Sequence, residues 1–302
     1  MDVRDWLLEG EPAIRWQVLR DLMDADPAEV AKERALVARQ GVAAEILAAQ
    51  GGDGAWHLDG EPDWLPTLFT PQLLRATGVD PADPAVAAAM ERLATGFHWH
   101  ESLGGKGFFD GETEPCINGG ALALGGYFRH PSASLAQRLL SEQLPDGGWN
   151  CDAPKSQRSS YHSTICVLEG LLEYERATSA TPALTAARDR GVEYLLSRAM
   201  FRRRSTGEMA APSFAELAFP PRYSYDVLRG LDFLRAAGLP PDPRTADALA
   251  LLRSRAVDGR WLLDASYADV ISVAFPETIG APSRWITLRA LRVLRWSGAP
   301  AS

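Results

Sequence analysis

The sequence has little positive charge to spare. Lysine and arginine total 31 against 39 acids, for a formal net charge of −8 and a pI near 5.2. That balance argues against a nucleic-acid partner, which would need a basic footprint. The arginines are scattered apart from Arg202-Arg203-Arg204, which reads as a solvated helix end. Long apolar runs are also missing. No stretch approaches the roughly 18 residues that span a bilayer, so no transmembrane segment is expected. The opening residues, MDVRDWLLEGEPAIRW, carry acids where a secretory signal would be apolar, and the expected location is cytoplasmic. Cysteine is scarce and odd in number: Cys116, Cys151 and Cys166. In a reducing compartment a disulfide framework is a poor use for them, which leaves burial or metal binding.

Strand alternation is almost absent as well. Segments such as PAEVAKERALVARQGVAAEILAAQ, INGGALALGGYFR, STICVLEGLLEYERA, YSYDVLRGLDFLRAAG and RWITLRALRVLRW carry apolar residues at helical spacing. Clusters of proline, glycine and aspartate punctuate them. A short motif recurs: GDGAW at 52–56, PDGGW at 145–149 and VDGRW at 257–261, with GGKGFF at 104–109 as a degenerate copy. The steps between the aromatics, about 40 to 110 residues, suit one or two helical hairpins each. A glycine turn with an aromatic plug suits the handover from an outer to an inner helix. The 302 residues, at roughly 25 per helix, make about twelve helices. That number suits a closed α/α barrel of six hairpins. No linker divides the chain, so one domain over 1–302 is expected.

Two stretches carry chemistry. In GETEPCINGG, Pro115 suits the first position of a helix, which puts Glu114 near the N-cap and Cys116 in the first turn. The positive end of the helix dipole favours a thiolate there, the form that binds zinc. In DGGWNCDAPKSQRSSYHST, Ser159 or Ser160 suits an N-cap and His162 falls in the first turn of the next helix. Parallel inner helices would bring Cys116 and His162 to one mouth, with Cys151 and Asp152 on the turn leading there. Two cysteines and a histidine with an open fourth position is a catalytic zinc pattern. Cys166, four residues after His162, shares its helical face and is the other candidate thiol.

At these residues the sequence resembles a superfamily. DGGWNCDAPKSQRSSYHSTICVLEGL resembles the zinc-histidine segment of protein prenyltransferase β-subunits. GGKGFFDGETEPCINGG resembles their preceding repeat, where an Asp-x-Cys pair supplies the other zinc ligands; here the pair would be Glu114 and Cys116. The glycine-aromatic turns are similar to those of squalene–hopene cyclases. Lanthipeptide cyclases share the barrel and hold zinc with two cysteines and a histidine. WLLEGEPAIRWQVLRDL, FPPRYSYDVLRGLDFL and PSRWITLRALRVL resemble a bacterial squalene-cyclase-like or prenyltransferase-like group. The resemblance implies an α/α toroid and a zinc held by Cys116, His162 and either Cys151, the softer ligand, or Glu114. Asp152 would be a ligand, a partner of His162 or part of the turn. The departures bear on activity. The lysine and arginine that prenyltransferases place three and six residues before the Asp-x-Cys pair are Gly111 and Phe108 here. The Asp-x-Asp-Asp acid of the cyclases and a DDxxD magnesium motif are both missing.

A second stretch, FPPRYSYDVLRGLDFL, concentrates Arg222, Tyr223, Tyr225 and Asp226 at an expected helix start. Three apart, Tyr223 and Asp226 would share a face. Asp226, with Tyr223 or Asp152, is the expected proton-transfer group. Arg222, Tyr225 and Trp285, which opens the last helix, are expected at the substrate. The alternative for Arg222 and Asp226 is a capping salt bridge. The expected function is a zinc-dependent enzyme acting on a small or isoprenoid-like molecule in an apolar cavity. The alternatives are a metal-free cyclase with a cavity Asp as acid, and a helical scaffold with structural zinc.

Overall fold

The computed structural model describes residues 2–298. It is mostly helical, and its only paired strands are the two-residue β1 (Ala256–Val257) and β2 (Arg260–Trp261). The helices in chain order are α1 (Val3–Leu8), α2 (Pro12–Leu22), α3 (Pro27–Arg34), α4 (Val42–Ala48), α5 (Trp64–Ala76), α6 (Pro84–Gly96) and α7 (Pro115–Tyr127). They continue with α8 (Ala133–Ser141), α9 (Tyr161–Ala177), α10 (Pro182–Leu196), α11 (Val227–Ala236), α12 (Ala246–Ser254) and α13 (Arg284–Trp296). Proline opens α2, α3, α6, α7 and α10, where its missing N–H costs nothing. Side chains of Asp26, Asp83, Ser132, Thr181 and Ser283 cap their helices by accepting a backbone N–H.

Burial sorts the helices into two kinds. Residues 115–126 of α7 are all buried, and α5, α9, α11 and α13 are buried on most sides. In contrast, α8 buries three residues and α3 none. The well-buried helices pack in sequence: α5 on α7, α7 on α9, α9 on α11, α11 on α13 and α13 on α2. The indole of Trp16 on α2 donates to Thr77 O beyond α5, at 2.9 Å. A cavity of about 190 Å³ lies among α2, α5, α9, α11 and α13 and the 219–222 loop.

The repeated turn is a joint with fixed bonds. The indoles of Trp56, Trp149 and Trp261 donate to Ile46 O, Leu139 O and Leu252 O near the end of the preceding helix, at 2.7–2.8 Å. Their backbone N–H groups donate to the hydroxyls of Thr67, Thr164 and Thr287 on the following buried helix, at 3.0–3.1 Å. Gln50 and Gln143 repeat a further pair of bonds, to Gly54 O and Ala89 O in one unit and to Gly147 O and Ala187 O in the other. Each threonine is fully buried. Thr164→Val, nearly isosteric, leaves the Trp149 N–H without an acceptor. Its expected cost is about 1–3 kcal/mol, measured as a shift in the denaturation midpoint. Unchanged stability would show that the threonine does not hold the joint. The degenerate copy differs: the Trp99 indole reaches forward to Phe108 O, 3.0 Å away.

Glycines let α7 and α9 approach closely. A Cβ on Gly119 would stand 2.5 Å from the backbone of Cys166, and one on Gly126 would stand 2.5 Å from that of Glu173. Both contacts advance by the same number of residues along the two helices, so the helices are parallel. Their N-terminal ends therefore lie together.

One helical segment is resolved into pieces and one expectation is corrected. PAEVAKERALVARQGVAAEILAAQ is helical in pieces: α3, a 3-10 turn at Val37–Arg39 and α4, which follows Gly41 at φ 70° with the Val42 N–H accepted by Glu11 Oε2. α11 begins at Val227, so Arg222, Tyr223 and Tyr225 precede it in a loop.

Candidate functional site

Residues from two segments meet beside the start of α7. One ligand atom each from Glu114, Cys116 and Cys151 lies within 4.8 Å of the other two. Glu114 occupies the N-cap position of α7 without bonding its backbone, which leaves the carboxylate free to face the thiols. Its Oε2 lies 3.6 Å from Cys116 Sγ. Cys116, in the first turn, still has an unused backbone N–H, which points at Cys151 Sγ from 3.4 Å. The two sulfurs are 2.9 Å apart, and Ser163 Oγ of α9 is 3.2 Å from Cys151 Sγ. The same hydroxyl accepts the Cys151 N–H, so α9 positions Cys151 while α7 carries Cys116.

These contacts give the thiols opposite tendencies. The hydrogen bond between Cys116 and Cys151, together with burial, pushes the Cys116 thiol well up. Cys151 shares that bond, accepts the Cys116 N–H and bonds with Ser163. These bonds hold it below the usual thiol range against the effect of burial. Cys151 is the sulfur prepared to be a thiolate.

His162 lies in the first turn of α9, but neither ring nitrogen comes within 4.8 Å of all three of those ligand atoms. Its Nδ1 accepts the Tyr225 N–H at 2.9 Å. Burial, then the Arg229 charge, lowers its pKa, so the ring is neutral at pH 7. A neutral ring whose Nδ1 accepts carries its proton on Nε2. In this structure His162 is therefore a hydrogen-bond donor at Nε2. Asp152 is exposed on the turn, and its N–H donates to Asn150 Oδ1. Cys166 stands apart, buried between Tyr223 O and Arg229 Nη2 at 3.6 Å each, with its thiol raised to about 11 by burial.

The second group divides. Asp226 is 2 % exposed and caps α11: Oδ1 accepts the Arg229 N–H at 2.8 Å and Oδ2 the Ala218 N–H at 3.3 Å. Burial raises its pKa, yet both oxygens serve the backbone and the residue does not line the cavity. Tyr223 is 41 % exposed and shares no helical face with it, because the helix starts later. Tyr225 is buried and donates its hydroxyl to Met200 O at 2.6 Å. Arg222 and Trp285 do line the cavity. Arg222 lies over the rings of Phe69 and Tyr223, and Trp285 stacks on Phe219 at 4.6 Å.

Sequence reading missed Ser163 and Arg229. Ser163 follows His162 in a first turn, where its hydroxyl can reach a neighbouring loop. Arg229, 2 % exposed, forks onto both oxygens of Glu169 at 2.8 and 2.9 Å. It also donates to Ser224 O and Arg222 O, tying the loop to α9.

The chain matches no family model and no curated protein. A solved structure described as a protein from Actinoplanes is similar at 17 % identity and a TM-score of 0.46, over 95 % of this chain and 90 % of that one. Among the described residues no helix is long and apolar enough to cross a membrane.

Proposed function

We propose that the chain is a zinc-dependent enzyme of α/α-toroid architecture. In this reading α2, α5, α7, α9, α11 and α13 form the inner ring, and the cavity between them takes a small or isoprenoid-like organic substrate. The observation that carries it is the convergence of Glu114, Cys116 and Cys151, from segments 35 residues apart, at the start of a buried helix. Two sulfurs and one carboxylate fit zinc, with a fourth position for water or substrate. Sulfurs on one tetrahedral zinc stand about 3.8 Å apart, so the fit requires the two thiols to open by almost 1 Å. A zinc held there would act as a Lewis acid or activate a bound nucleophile. The chain's own residues prepare the site: the Cys116 N–H and Ser163 favour the Cys151 thiolate, and His162 offers a fixed Nε2–H donor at the same end of α9.

The close pair of sulfurs favours a second reading, in which Cys151 is itself the nucleophile and no metal is involved. Elemental analysis of the purified protein separates the two. The zinc reading expects about one zinc per chain, lost in Cys116→Ala and Cys151→Ala and kept in Cys166→Ala. Glu114→Ala and His162→Ala then identify the third ligand. Wild-type protein that takes up no zinc on reconstitution would eliminate the metal. Zinc whose chelation unfolds the chain would assign it a structural role.

A further inference from the structure

The cavity holds more positive charge than it neutralises. Arg75, Arg176, Arg222, Arg229, Arg289 and Arg292 line it, against the carboxylates of Glu169, Glu173 and Asp232. Just behind the wall Asp21 pairs with Arg292 and Arg235 with Asp232, and these two additions cancel. An excess of three cations in a partly enclosed space is costly unless something counters it. Individual nitrogens of four of the guanidinium groups also lack partners. Arg75 Nε, Arg222 Nε, Arg289 Nη1 and Arg292 Nε are buried with nothing to donate to. Arg289 and Arg292 are only 9 % and 8 % exposed, so solvent does not satisfy them. Burial draws the Arg292 guanidinium down to about 10, even with Asp21 and Asp232 holding it up.

Most of this charge lies away from Cys116 and Cys151. Arg75, Arg176 and Arg292 belong to the C-terminal halves of α5, α9 and α13. His162 and Glu173, eleven residues apart on α9, are separated by about 16 Å along its axis. Phe69, Phe219 and Trp285 supply an apolar wall to the same cavity. Guanidinium forks match planar or tetrahedral oxyanions, and aromatic walls match an apolar body.

We propose that the cavity binds a small organic oxyanion with at least two negative charges, its head on Arg75, Arg289 and Arg292 and its body against Phe69, Phe219 and Trp285. The proposal rests on the functional reading above only in placing the substrate in this cavity, and it does not require zinc. Titration calorimetry on the full chain, as purified and after metal removal, tests it with phenyl phosphate and phthalate as probes. Inorganic phosphate and phenol serve as the separate halves. At least one of the two dianions should bind at one per chain, at least tenfold more tightly than either half, and more weakly as salt is raised. Whichever dianion binds better identifies the head group. Arg292→Gln should weaken binding about tenfold or more. Arg222→Gln, which removes a guanidinium that makes no ion pair and so preserves the fold, should weaken it as well. The proposal is overturned if neither dianion binds at about 10 mM, if phenol binds as well as they do, or if both variants bind like wild type. Anion binding without zinc would remove the metal reading alone. Zinc without anion binding would remove this proposal alone.

Discussion

Gly119→Ala should lose about 1–3 kcal/mol of stability, and Gly119→Val should fail to accumulate as folded protein. On an isolated helix alanine would instead gain close to 1 kcal/mol over glycine. The reversal comes from the neighbour. The new Cβ would stand 2.5 Å from Cys166 C and O and 2.7 Å from Val167 N, all backbone atoms that cannot rotate away. The two helices must then separate, and overpacking of this kind typically costs 1–3 kcal/mol. Gly170 makes the reciprocal contact, where a Cβ would meet Gly119 O at 2.5 Å, so Gly170→Ala should behave alike. Gly52 is the control, because a Cβ there meets nothing within 4 Å. Urea titration followed by tryptophan fluorescence gives the comparison. A Gly119→Ala midpoint equal to that of Gly52→Ala would disprove the close approach. The site should feel the same change. α7 carries Cys116 and α9 holds Cys151 through Ser163, so widening the gap between helices pulls the two sulfurs apart.

The second large effect is expected at Arg229. Arg229→Met should cost about 3–5 kcal/mol, the usual result of removing one partner of a buried ion pair. Glu169 would keep only Arg75, at 3.6 Å, and the carbonyls of Ser224 and Arg222 would lose their donor. Glu169→Gln should cost less, and the double variant should recover part of the loss of Arg229→Met. The pH dependence follows from the sign of the shift. Burial pushes Glu169 up, but Arg229, then Arg75 and Arg289, hold it net below its ordinary value. Asp232 is held down by Arg235 and Arg289 in the same way, against its burial. A carboxylate with a depressed folded-state pKa contributes stability above the unfolded value, near 4, and loses it as pH falls through the lower folded value. Wild type should therefore weaken steadily from about pH 5 downward. Arg229→Met should show a shallower decline over the same range. Parallel slopes in the two proteins would refute the assigned role of the pair.

What the sequence disclosed depended on whether the signal was local. Pro115 placed Cys116 in a first turn, and the glycine-tryptophan motif marked joints that do share one set of bonds. Both effects act within a few residues. How the helical segment before residue 50 divides was not legible: Gly41 adopts a positive φ, and Glu11, thirty residues earlier, accepts the next N–H. The spacing of Tyr223 and Asp226 resembled one helical face. An aspartate before an apolar run is equally an N-cap, and the observed bond to Arg229 N–H is of that kind. His162 was placed correctly along the chain, but its bonding depended on Tyr225, 63 residues away. The cavity arginines were the least legible. They come from four helices and a loop, and their shared direction appears only once those helices have found their faces.

The bonds that tie α13 to α1 and α2 also bear on how the chain is made. Arg284 donates to Trp6 O, Arg292 to Gln17 Oε1 and Arg295 to Asp21 O, across more than 270 residues. In synthesis α2 is made long before α13, the helix it packs against. Its buried residues, Trp16 and Val18 among them, stay half-covered until then. Every other neighbouring pair of buried helices can settle as it is made. The contact between α2 and α13 is the slow one to form, because the two helices lie so far apart along the chain.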